Sequence, residues 1–147
     1  MSEPIDPRQA SFVGRRSDGS VIQRPLSPHL QAYDMMQITS LTSILHRITG
    51  GAWSVAVLFL VWWLAALASG ESAFNTAQSF FGSFLGVLVL FGITAVAWYH
   101  TLAGIRHLAW DAGRGFDLPT VFATGRMVFI GTAALTVLTW IIALVAW

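Results

Sequence analysis

The chain has no cysteine, which excludes a disulfide framework, an iron–sulfur cluster and any thiolate metal site built from this chain alone. Lysine is absent too, so the 8 basic residues are all arginine. Charged residues make up only 10% of 147 positions, against about 25% in a soluble domain. So few polar groups cannot cover a water-facing surface. A net charge of +1 argues against nucleic acid as a partner. There is no dinucleotide fingerprint and no flavin motif. The alternation of a membrane β-barrel is also missing, because runs such as LFLVWWLAALA are continuously apolar. The first apolar run begins more than 40 residues into the chain and has no small-residue cleavage pattern after it, so none reads as a signal peptide.

What the chain has is membrane-spanning sequence. Three stretches lack charge: residues 48–70, 72–105 and 127–147. A span takes about 20 mostly apolar residues, so each stretch suffices once. Lipid offers no partner to a sheet edge, so each is a helix. The expected fold is all-α and transmembrane, with helices over about 40–68, 77–108 and 122–146. The polar NTAQS run marks the start of the second. Residues 1–35 are different in kind. They hold four of the five prolines and much Ser, Arg and Asp, and read as an extended or mobile arm ahead of a domain over 36–147.

Arginine sets the orientation. Five lie in the first 47 residues and three (Arg106, Arg114, Arg126) between the second and third spans, with none between the first and second. The positive-inside rule places the amino terminus and the second connection in the cytoplasm, and the first connection and carboxyl end outside.

Two polar groups interrupt the apolar sequence. His100, in WYHTLAGIRHLAWD, sits six residues before Arg106, about 9 Å deeper along a helix. An ionisable residue at that depth marks a functional site by default. A haem iron takes a neutral imidazole nitrogen, and an apolar site keeps histidine neutral. The alternative use is a hydrogen bond to a neighbouring helix. His46 and His107 lie too shallow to clamp the opposite face of the same haem, so the second ligand is expected from another subunit. Gly104 shares the face of His100 and leaves room for a flat cofactor.

The second group is Ser43, His46 and Arg47, three or four residues apart and so on one helical face at the membrane border. Arg47 can pair with a propionate or donate to a quinone carbonyl, and Ser43 offers one hydrogen bond. Arg47 can equally snorkel to headgroups and mark the helix edge. Gly82 and Gly86, like Gly50 and Gly51, suit close helix approach. Trp62, Trp63, Trp140 and Trp147 read as an aromatic belt. Trp98 and Tyr99 face either lipid or the cofactor, and Thr132, Thr136 and Thr139 leave the third helix structural.

The motifs R24-P-L-S-P-H29, S43-I-L-H46-R47-I-T-G50 and H100-T-L-A-G104-I-R-H107-L-A-W-D111 resemble those of one family. This is the cytochrome b subunit of succinate dehydrogenase (respiratory complex II), the larger of its two small membrane anchors. The resemblance covers about residues 23–147 without departure at the motif positions, and the RPLSPH run looks like the form found in mitochondria and related bacteria. It implies a three-helix anchor packed with a second anchor subunit in a bacterial inner membrane, alongside an iron–sulfur and a flavoprotein subunit. It implies that His100 is one axial iron ligand of haem b, shared with the second anchor. Ser43 and Arg47 would line the site of ubiquinone reduction, and His46, Arg47 and His107 would hold the haem propionates. Asp111 would support a proton route or anchor the iron–sulfur subunit. Such a chain has no succinate-oxidising activity alone. The competing readings are the anchor of a quinol:fumarate reductase and a non-redox three-helix transporter or scaffold subunit.

Overall fold

The computed structural model describes residues 11–25 and 34–146. Its membrane part is three long helices with a short one inserted: α1 (Ile38–Ser69), α2 (Glu71–Phe81), α3 (Phe84–Asp111) and α4 (Leu118–Ala146). The long helices have 32, 28 and 29 residues and are long and apolar enough to cross a membrane. The described membrane part is thus an all-α bundle with three helices of spanning length. Among the described residues, four of the six buried apolar ones are alanine. Helices that gain no hydrophobic driving force inside lipid pack by close approach of small side chains instead. Large apolar side chains point outward, Leu58 at 66% exposure and Ile130 at 69%, as a lipid-facing or partner-facing surface requires.

The second span differs from the expected 77–108. Residues 71–81 form a separate helix, and the span begins at Phe84. Two caps make the break. Gly82 closes α2, its N–H donating to the Gln78 carbonyl, and the Ser83 hydroxyl accepts the Gly86 N–H as N-cap of α3. α2 runs back along the end of α1, where Trp63 Nε1 donates to Gln78 Oε1 at 3.0 Å and Trp62 meets Phe80 and Phe81. Gly86 is needed at this fold-back. A β-carbon there would collide with the Phe80 carbonyl and stand 2.7 Å from the Phe81 Cα. Its small size therefore serves the α2–α3 corner rather than contact between spans. Trp62 and Trp63 likewise pack on α2 and are not simply belt residues.

At the other end, Asp117 caps α4, accepting the Thr120 N–H at 3.0 Å. Hydrogen bonding from the Thr120 side chain, and then from its N–H, holds the carboxyl below the usual range. Of the arm expected over 1–35, residues 1–10 and 26–33 lie outside the described residues, and with them His29 of the RPLSPH run. Residues 11–25 form a two-stranded antiparallel hairpin, β1 (Ser11–Arg15) and β2 (Val21–Pro25), with Arg15 opposite Val21. Its turn is closed by Asp18, which accepts from the Ser20 N–H and hydroxyl, and by Gly19 at φ 84°.

Candidate functional site

The polar residues collect where α1, α3 and α4 converge at the arginine-bearing end of the bundle. α1 and α3 run antiparallel, and their register sets His46 of α1 opposite the two-turn interval between His100 and His107 of α3. Three imidazoles form a column. His46 stacks on His100 with centroids 4.4 Å apart and on His107 at 4.6 Å. Sequence reasoning judged His46 too shallow to share a haem with His100. The structure brings the rings into contact, and face-to-face rings leave no space for a macrocycle between them. Rings this close could not hold opposite faces of one flat cofactor, whatever their depth. Among the described residues no three metal-ligating side chains converge on a point.

Each imidazole has its own environment. Nδ1 of His100 lies 3.3 Å from the Thr49 hydroxyl. Its Nε2 has no hydrogen-bond partner among the described residues. Nδ1 of His107 lies 2.7 Å from the Ala103 carbonyl. A carbonyl only accepts, so this nitrogen carries the proton. His46 Nε2 is buried with no partner, although leaving such an atom unsatisfied costs about 1–3 kcal/mol. Space is fitted closely around the column. A β-carbon on Gly50 would stand 3.2 Å from His100 Cε1, and one on Gly104 would stand 3.9 Å from His46 Nε2. The room expected beside Gly104 is thus filled by His46. Gly51 has nothing within 4 Å.

Ser43 is half-buried and Arg47 exposed on α1. Arg47 is exposed and makes no hydrogen bond among the described residues, so its guanidinium is uncommitted. Asp111 is exposed at the end of α3.

The residue sequence reasoning missed is Arg106. Read only as a marker of the membrane edge, it is 7% exposed. Its Nε donates to Thr124 Oγ1 at 3.1 Å, one terminal nitrogen to Thr42 Oγ1 at 3.1 Å, and the other to the Val121 carbonyl at 3.0 Å. The guanidinium carbon lies 4.1 Å from the Trp110 ring centroid. All these partners are neutral, and they come from α1, α3 and α4. A planar fork of five donors is what lets one side chain tie three helices. Tyr99, left open by sequence, is buried and donates to the Thr42 carbonyl at 3.1 Å. Trp98 donates to Thr139 Oγ1 at 2.9 Å, so it too faces the bundle rather than lipid. The spacing Arg106–Trp110, four residues on one helical face, was the available signal for the cation–π pair. The roles of Thr42 and Thr49 had none.

The family profile described as succinate dehydrogenase/fumarate reductase transmembrane subunit matches residues 20–139. The succinate dehydrogenase cytochrome b556 subunit of Paracoccus denitrificans is 40% identical over 119 residues, covering 81% of this chain and 91% of that protein. Its counterpart from Rickettsia conorii is 42% identical over 120 residues, covering 81% and 92%. The cytochrome b560 subunit of Reclinomonas americana is 38% identical over 127 residues, covering 82% and 87%. With the profile spanning most of the chain and relatives matched over nearly their whole length, the chain belongs to the family of succinate dehydrogenase/fumarate reductase transmembrane subunits.

Proposed function

We propose that this chain is the cytochrome b anchor of a succinate:ubiquinone oxidoreductase, supplying one axial ligand of haem b and part of the ubiquinone-reduction site. The observation that carries the reading is the imidazole column. It sits in the seam of α1 and α3, with His100 engaged through Nδ1 alone and the buried Nε2 of His46 unpartnered. Both features fit a haem. One nitrogen remains for iron, and one buried polar atom lacks the group that would satisfy it. His100 would hold the haem iron, as the one ligand this chain supplies. The other comes from a second anchor subunit. When bound, haem b supplies a one-electron centre inside the membrane.

The remaining residues act on the edge of that group and on quinone. Arg47, exposed and uncommitted, donates to a propionate or a quinone carbonyl. Ser43, one turn away, holds or passes a proton at a quinone oxygen. His46 offers its unpartnered nitrogen to a propionate. His107 already commits one N–H to Ala103, so it engages an anionic group only with a second proton, on Nε2. Electrons enter from an iron–sulfur subunit fed by a flavoprotein subunit, since this chain holds neither centre. The arginine-bearing end faces the cytoplasm of a bacterial inner membrane, where those soluble subunits dock.

The shared haem is tested by expression. Produced alone, the chain should load little low-spin haem; produced with its partner anchor, it should load fully. Full low-spin loading of the isolated chain would contradict the cross-subunit ligation.

A further inference from the structure

We propose that Thr49 is a positioning residue for His100: its hydroxyl oxygen accepts the His100 Nδ1–H and holds the imidazole in the tautomer whose Nε2 lone pair is free for iron. This rests on the reading of His100 as an axial ligand. The argument is one of proton counting. Thr49 Oγ1 has three polar neighbours: the Leu45 carbonyl at 2.8 Å, the His46 carbonyl at 3.0 Å and His100 Nδ1 at 3.3 Å. The hydroxyl carries one proton. If that proton pointed at His100, two carbonyl oxygens would face a bare hydroxyl oxygen at 2.8–3.0 Å, lone pair against lone pair. The proton therefore goes to the carbonyls, and toward His100 the oxygen can only accept. The shared hydrogen belongs to Nδ1, and a neutral imidazole then has none on Nε2.

Three further features make this a fixed arrangement. Thr49 is buried at 9% exposure, and a β-branched side chain in a helix has few rotamers. Gly50, the next residue, lets the His100 ring approach α1. The hydroxyl, polarised by donating to carbonyls of its own helix, is the better acceptor for it. A metal-bound histidine whose other N–H is held this way is a more basic ligand, which favours ferric over ferrous iron.

The test uses the whole purified complex with Thr49→Val, which keeps the shape and removes the acceptor, and Thr49→Ser, which restores it. The readouts are the haem midpoint potential and the low-spin electron paramagnetic resonance spectrum. Thr49→Val should lose about tenfold of the ferric-over-ferrous preference, a rise of about 59 mV for a one-electron couple. Thr49→Ser should stay near the native value. Loss of haem in Thr49→Val with retention in Thr49→Ser also supports the hydrogen bond. A native potential and spectrum in Thr49→Val overturn the proposal, as does an equal shift in both variants. Unchanged low-spin haem in His100→Leu overturns the ligand reading and this inference with it, whereas failure at Thr49 alone leaves that reading standing.

Discussion

A β-carbon added to Gly50 would stand 3.2 Å from Cε1 of His100. That is closer than side chains normally tolerate, so one of the two helices or the imidazole must yield by a few tenths of an ångström. Gly50→Ala should therefore disturb the haem spectrum and potential of the assembled complex. Gly51→Ala, where nothing lies within 4 Å, should leave both unchanged. Both substitutions raise helix propensity by about 1 kcal/mol, so a difference between them isolates the contact. Equal spectra from the two variants would show that the Gly50–His100 approach is of no consequence to the cofactor.

Arg47 separates the quinone site from the rest of the complex. Its side chain is exposed and makes no hydrogen bond among the described residues. Arg47→Ala should cut succinate-dependent quinone reduction at least tenfold, about 1.4 kcal/mol of lost stabilisation at the quinone. Succinate oxidation by a soluble dye should change little. Equal loss in both assays would indicate failed assembly and remove Arg47 from the quinone site.

Arg106 is predicted to matter through stability. Hydrogen bonds to a charged donor contribute about 1.5–3 kcal/mol each, and removing this side chain takes away the donor that links Thr42 of α1 and Thr124 of α4 to α3. Arg106→Leu should lower the melting temperature of the complex by several degrees, while haem that remains bound keeps its native spectrum. Arg106→Lys should rescue poorly, because an ammonium lacks the planar fork that reaches acceptors on both α1 and α4. Full rescue by lysine would mean that only the charge matters.

The spans were legible because lipid demands continuous apolar helix, and three uncharged runs satisfy that requirement. The break at Gly82–Ser83 was hidden inside one of those runs, since residues 72–105 carry no charge to mark it. The hairpin was missed although Asp18–Gly19 is a strong turn signal. Proline-rich, charged surroundings suggested an arm without pairing. In the site, residue types pointed to His100, His46 and Arg47, but depth was counted along each helix separately. Only the register between α1 and α3 shows that His46 lies against His100 and that Thr49 reaches Nδ1. Arg106 was misjudged for the same reason. A charge near a helix end usually snorkels, and nothing along the chain announces three neutral acceptors waiting on other helices.

The most direct test of the account is a dithionite-reduced minus oxidised spectrum of membranes holding native protein or His100→Leu at matched complex levels. The account predicts a b-type signal with native protein that is lost or distorted when His100 is replaced. An unchanged low-spin signal in His100→Leu, or no b-type signal in either, would contradict it and return His100 to the role of a residue that bonds one helix to another.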